Sequence, residues 1–242
     1  MRTLKSVLFI LYLFDVLFNL LIIITLMTLS SKSSTDPALR VAIILLAAGE
    51  GSRMGSIPKA LLKKGGKTFL ENFCIAASQL EPVQLIIVTG FHAPEIEIAY
   101  DCFKSLYQPS AQIIRNSDPE RGQASSVRIG LEALNQEYDV LMVCLCDQPY
   151  VGVDEMRLLL DQFKLRSANQ EILLPLGNGQ RGNPVLFSRK VVTEILATPE
   201  MVCRTFMDIH PELIYHLKTE NNAFIQDVDT PADILALGVT KS

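Results

Sequence analysis

Val41-Ala42-Ile43-Ile44-Leu45-Leu46-Ala47-Ala48-Gly49-Glu50-Gly51-Ser52-Arg53-Met54-Gly55 runs from an unbroken apolar segment straight into a loop rich in glycine. The apolar part reads as a strand buried on both faces, as in the middle of a parallel sheet. The glycines let the chain turn sharply after that strand and present N–H groups to phosphate oxygens without side-chain obstruction. Arg53, and Lys59 just after Pro58, add the positive charge that an anion site needs. A tight surface turn is the plain alternative, but small residues, two cations and a position after a buried strand coincide here. The spacing is not that of a Walker loop, G-x-x-x-x-G-K-[ST], nor of the dinucleotide fingerprint G-x-G-x-x-G, since three residues separate Gly51 from Gly55.

Beyond the loop, apolar runs alternate with segments of helical period. Val83 to Thr89, Ala111 to Arg115 and Val140 to Cys146 read as strands; Phe69 to Leu80, Pro94 to Leu106 and Ala124 to Leu134 read as helices. This alternation predicts an α/β fold with a doubly wound, mostly parallel sheet covered on both faces. Ligands in such sheets bind beyond the carboxyl ends of the strands, where Gly49 to Gly55, Gly90, Asn116 to Gly122 and Asp147 fall. A carboxylate such as Asp147 at a strand end is well placed to hold Mg²⁺ against phosphate oxygens. The later segments Ile172 to Pro175, Val185 to Phe187, Ser188 to Leu196 and Leu213 to Lys218 predict a small added substrate-facing lobe, completing a domain over 41–238.

Composition narrows the classes further. A chain of 242 residues holds one such domain of about 200 residues plus a short remainder. Its 22 basic and 26 acidic residues are spread without long runs, which leaves no electrostatic footprint for nucleic acid. Five cysteines with no C-x-x-C pair argue against a disulfide framework or zinc ribbon, and Cys144 and Cys146 share one strand face as core thiols. His92, His210 and His216 lack metal-ligand spacing, so surface or structural roles are expected for each. Ser125 and Ser126 have no nearby His or Asp motif, and a hydrolase triad is not supported.

The remainder is residues 1–29, hydrophobic, and a linker over 30–40. Val7 to Leu29 is apolar except for Asp15, Asn19, Thr25 and Thr28, long enough at about 1.5 Å per helical residue to cross a bilayer. One expectation is therefore membrane anchorage through a single N-terminal helix with the main domain in the cytoplasm. Against it, Asp15 alone costs about 2.5 to 3.5 kcal/mol near the membrane centre. An over-extended start, with Met27 opening the polar stretch, and a signal peptide lacking an A-x-A site are the other readings.

Leu46-Ala47-Ala48-Gly49 through Arg53-Met54-Gly55, followed by Lys59, resembles the signature of the MobA-like NTP transferases, L-A-[AG]-G-x-x-x-R-M-G and then a lysine. Further segments agree in order: Asn116 to Leu134, Asp147-Gln148-Pro149, Arg181-Gly182-Asn183-Pro184-Val185-Leu186-Phe187, and Asp227-Val228-Asp229-Thr230-Pro231-Ala232-Asp233. The resemblance is strongest to molybdenum-cofactor cytidylyltransferases. Guanylyl-transferring relatives tend to carry L-A-G-G and G-P-L-A-G, so Ala48 and Gln123-Ala124-Ser125-Ser126 favour a pyrimidine, hence CTP.

The resemblance implies a Rossmann-like nucleotidyltransferase fold and Mg²⁺-dependent transfer of CMP to a phosphorylated acceptor, molybdopterin, with a molybdoenzyme receiving the product. Arg53 would serve the β- and γ-phosphates and Lys59 the α-phosphate. Leu46, Ala47, Ala48, Gly49, Gly51, Ser52, Gly55, Asn116, Gly122, Ser125 and Ser126 would contact the nucleotide. Arg181, Gly182, Asn183 and Pro184 would face the acceptor, and Asp147 and Asp229 would hold the metal, with Asp227 a third candidate. Asp227 and Asp229 could instead serve the helix expected near Pro231, for which Thr230 or Asp229 is a natural N-cap. One segment departs from the pattern: Thr198 to Phe206 stands where cytidylyltransferases carry G-D-x-G-[AV]-R. The acceptor end is thus less specified than the nucleotide end. A sugar-phosphate acceptor, or a non-catalytic nucleotide-binding or cofactor-insertion protein, are the alternatives; a dinucleotide oxidoreductase is disfavoured by the glycine spacing.

Overall fold

A computed structural model describes residues 39–241. The expected hydrophobic segment and nearly all of the linker lie outside the described residues. Among the described residues no helix is long and apolar enough to cross a membrane.

The first strand, β1 (Val41–Ala47), is buried at every position and lies in the interior of the sheet. It leads through the glycine loop to the hairpin β2 (Lys63–Lys64) and β3 (Lys67–Thr68), then to helix α1 (Phe69–Ser78). Thr68 starts that helix because its hydroxyl accepts from the Glu71 N–H at 3.0 Å. Two further strand and helix pairs follow, β4 (Gln84–Thr89) with α2 (Ala93–Asp101) and β5 (Gln112–Arg115) with α3 (Gln123–Glu132). Next come β6 (Val140–Leu145), α4 (Val153–Lys164), β7 (Ile172–Gly177), β8 (Gln180–Arg181) and β9 (Val185–Ser188). The chain ends with α5 (Arg189–Ala197), α6 (Cys203–Ile209), β10 (Ile214–Thr219) and α7 (Pro231–Ala236).

The strands lie in the order β10-β7-β9-β6-β1-β4-β5, with β8 paired to β7. The half made of β6, β1, β4 and β5 is parallel throughout, as the alternating pattern predicts. The expected added lobe is corrected: β7, β9 and β10 extend this same sheet, with β9 antiparallel to both β6 and β7. The physical reason is burial. Val185, Leu186 and Phe187 are all buried, and a strand apolar on both sides is best satisfied inside a covered sheet.

Side chains alternate between two cores. Ile43 and Leu45 point to one face, packed by Phe73 of α1, Ile96 of α2 and Phe163 of α4, and Cys144 and Cys146 belong to this face as expected. Ala42, Ile44 and Leu46 point to the other, packed by Leu131 of α3, Val191 and Ile195 of α5 and Phe206 of α6. The helix expected over Pro94 to Leu106 ends at Asp101. Beyond it Phe103 meets Tyr100 edge-on at 5.5 Å and Tyr107 at 6.1 Å. A third small cluster joins Met54 of the glycine loop to Val228 and Ile234 near the C-terminus.

Candidate functional site

The carboxyl ends of β1 and β6, the start of α3 and the segment before α7 enclose a cavity of about 410 Å³. Of the residues predicted for nucleotide or metal, Leu46, Ala47, Ala48, Gly49, Gly51, Ser52, Arg53, Lys59, Gly122, Ser126, Asp147, Asp227 and Asp229 line it. Gly55, Asn116 and Ser125 do not. Gly55 closes the single 3-10 turn Ser52–Met54. Asn116 is buried, and its amide donates to the Ser125 and Ser126 hydroxyls at 2.9 and 3.0 Å, so it fastens the start of α3. Phe91, Pro119 and Gln123 also line the cavity. Phe91 could have been found from its place just past a predicted strand end.

Local sequence explains how the charged groups arrive. Lys59 sits on the short turn Lys59–Leu61 after Pro58, anchored by Ala60 at 1% exposure. Asp227 and Asp229 flank Val228, which is fully buried and whose N–H donates to the Asp147 carbonyl at 2.9 Å. That bond stitches the C-terminal segment to the end of β6. Thr230 is the N-cap of α7, in a capping box with Asp233. The Asp229 carboxylate is therefore free to turn into the cavity.

Lys59 Nζ lies 2.8 Å from Asp147 Oδ2 and 2.5 Å from Asp229 Oδ1. Arg53 Nη1 reaches the other Asp229 oxygen at 2.9 Å. Burial by itself would lower the pKa of the Lys59 ammonium, but the Asp147 and Asp229 carboxylates outweigh it and hold it above the ordinary lysine value. The bond from Lys59 holds Asp229 below the ordinary carboxylate range. Asp227 moves the other way, raised by burial and by the negative charge of Asp147. Its Oδ1 accepts from Gln148 Nε2 at 2.9 Å.

Hard carboxylate oxygens are the donors that Mg²⁺ takes, and Mg²⁺ commonly uses one or two carboxylates together with substrate phosphates and water. Asp147 and Asp229, drawn together on one ammonium, fit that shared kind of site. Among the described residues no group of three or more His, Cys, Asp or Glu is arranged to hold a metal ion, so an all-protein cage that includes Asp227 is not formed.

A second cavity of about 170 Å³ adjoins the first, sharing Leu46, Gln123 and Leu145 with it. Arg181, Gly182 and Asn183 line it, as does Arg204 from the segment that departs from the expected pattern. Pro184 lies instead on a recess with Gln148 and Pro149. Arg181 is paired with Asp208 at 2.6 Å. Of the histidines, His210 faces Glu212 at 3.2 Å and His92 meets the glycine loop.

Gly51 has φ +68°, and an added Cβ would stand 2.4 Å from the Ile57 carbonyl oxygen. Gly51→Ala should therefore introduce strain of about 1 to 3 kcal/mol and lower the melting temperature by several degrees. A differential scanning fluorimetry trace identical to the wild type would show that the loop does not need this conformation.

Residues 43–210 match the MobA-like NTP transferase domain. The molybdenum cofactor cytidylyltransferase of Escherichia coli K12 is 31% identical over 195 residues, covering 79% of this chain and 92% of that protein. The bifunctional protein GlmU of Bordetella petrii is 35% identical over 121 residues, which is 49% of this chain and 25% of that longer protein. Among solved structures, Rv0371c from Mycobacterium tuberculosis H37Rv superposes with a TM-score of 0.64 at 24% identity, covering 83% of this chain and 98% of that one. Rv0371c has also been solved in complex with manganese, a structure that superposes with a TM-score of 0.62.

Proposed function

The chain belongs to the MobA-like NTP transferase family, and from that membership we propose that it transfers CMP from CTP to a phosphorylated acceptor, molybdopterin, releasing pyrophosphate. The observation that carries this reading is the meeting of Lys59, Arg53, Asp147 and Asp229 at the mouth of the glycine loop. No nucleophilic side chain is required. The acceptor phosphate attacks the α-phosphorus in line, and the protein contributes position and charge.

The glycine loop receives the triphosphate, Arg53 stabilises the leaving pyrophosphate, and Lys59 moves from its two carboxylates to the α-phosphate as charge builds there. Asp147 and Asp229 are the residues that would hold Mg²⁺, which when bound would supply further neutralisation of the triphosphate. The amino end of α3, near Gln123 and Ser126, adds its positive helix dipole to the same cavity. Cytosine is favoured by Ala48 and by the Gln123 to Ser126 segment, together with the cytidylyltransferase relative. Intact Arg53, Lys59 and Asp147 speak against a non-catalytic binder.

The second cavity is the proposed acceptor site. Its walls are mostly apolar, from Val127, Val143, Leu174, Phe187 and Met207, with Arg181 and Arg204 at its edge. Such walls suit a flat, weakly hydroxylated body carrying an anionic group. The GlmU relatives keep a sugar phosphate as the second reading. Arg204→Ala should raise KM for the acceptor by roughly 10- to 100-fold, the worth of one charge-assisted hydrogen bond, and leave KM for CTP within about twofold. Steady-state kinetics with each substrate varied in turn checks this; a rise in the CTP value alone would move Arg204 to the nucleotide. Turnover of molybdopterin against a panel of sugar phosphates decides between the two acceptors, and preference for a sugar phosphate would replace the first reading by the second.

A further inference from the structure

The turn Gly90 to His92, between β4 and α2, lies against the glycine loop at three points. Gly90 leaves no room for a side chain, since an added Cβ would be 2.8 Å from both the Cβ and the carbonyl oxygen of Ala48. The Phe91 N–H donates to that same Ala48 carbonyl at 3.4 Å. His92 Nε2 lies 2.8 Å from the Glu50 carbonyl oxygen. A carbonyl can only accept, so the ring nitrogen at this contact carries the proton.

Two alternate carbonyls of the loop, those of Ala48 and Glu50, are thus held by one neighbouring turn. In a trans peptide the carbonyl and the following N–H point in opposite directions. Fixing these two carbonyls on the side of the turn therefore directs the Gly49 and Gly51 N–H groups to the opposite side. Among the described residues neither N–H has a protein acceptor, and both glycines line the 410 Å³ cavity.

We propose that Gly90 to His92 is a clamp that sets the peptide planes of the phosphate loop, and that His92 is a positioning residue which keeps the Gly51 N–H available to a triphosphate. The clamp itself stands on the contacts above; its consequence for nucleotide rests on the proposed function. Nothing in the reaction needs His92 as an acid or base. Its ring works by donating one hydrogen bond to the main chain, and either a neutral ring with its proton on Nε2 or an imidazolium does so.

Two readouts test the clamp separately from the function. In nucleotide-free protein, His92→Ala should speed amide hydrogen exchange over residues 46–54 by roughly five- to tenfold, the effect of one lost hydrogen bond. His92→Gln, which keeps a side-chain N–H donor, should restore most of the protection. CTP titrations by calorimetry should then give a Kd raised roughly five- to tenfold in His92→Ala and near the wild type in His92→Gln. Unchanged exchange in a folded His92→Ala protein would overturn the clamp whatever the ligand. Faster exchange with unchanged CTP affinity would overturn its role in binding. Wild-type protein that bound no nucleotide would overturn the functional reading, while the exchange result would still judge the clamp.

Discussion

Asp147→Ala should reduce metal-dependent turnover by roughly 10²- to 10³-fold or more while the protein stays folded. Among the described residues the carboxylate takes part in one hydrogen bond, accepting from the Lys59 ammonium at 2.8 Å. Lys59 keeps its second partner, Asp229, when Asp147 is truncated. The bond that joins the C-terminal segment to β6 runs from the Val228 N–H to the main-chain carbonyl of residue 147, which alanine retains. Loss of this side chain therefore removes a proposed metal ligand without opening the sheet. Circular dichroism and a melting curve should stay close to the wild type, and undiminished activity would exclude Asp147 as a ligand.

Lys59→Met carries the other large effect. Turnover should fall by roughly 10²- to 10³-fold, the scale for removing one positioned cation from a transition state. Stability should change in a way that depends on pH. Asp229 has its pKa lowered chiefly by the bond from Lys59. Its stabilising contribution is present above the unfolded carboxylate pKa and fades as pH falls through the lower folded value. Lys59 has a raised pKa, so its contribution is complete below the unfolded lysine value and is lost as pH rises through the folded one.

The stability gap between wild type and Lys59→Met should therefore be widest between roughly pH 4 and pH 10, and should narrow on both sides. Without the ammonium, Asp147, Asp227 and Asp229 line the cavity and, among the described residues, the cation left paired with them is Arg53, on Asp229. Added Mg²⁺ without nucleotide should then raise the melting temperature more in the variant than in the wild type, because metal no longer competes with Lys59. Parallel melting curves across pH, with equal responses to Mg²⁺, would show that the ammonium does not hold these carboxylates together.

Much of this centre was legible from residue order. The buried run Val41 to Ala47, its glycine loop and Asp147 at the end of β6 carried strong local signals, and the structure brings them together around one cavity. Thr230, one of the two natural N-caps before Pro231, likewise marks the start of α7, where the structure places it. The placement of β9 was not legible, because a short strand apolar on both faces carries no mark of its direction. Asn116 carries no sequence mark of its place, because a polar residue just past a strand reads the same whether it meets a nucleotide or two serine hydroxyls. Arg204 was hidden in a segment that departs from the family pattern; its place follows from α6 burying Cys203, Phe206 and Met207 and leaving Arg204 at the edge of the second cavity. His92 meets a main-chain carbonyl 42 positions away, for which sequence carries no signal.

Pyrophosphate release from CTP, with molybdopterin as acceptor and Mg²⁺ present, is the most direct measurement of the central claim, run beside GTP and ATP. Release should require acceptor and metal together, and the two purine nucleotides should be at least about tenfold slower. Purified, folded protein that released no pyrophosphate from any nucleoside triphosphate, with any phosphorylated acceptor, would contradict it.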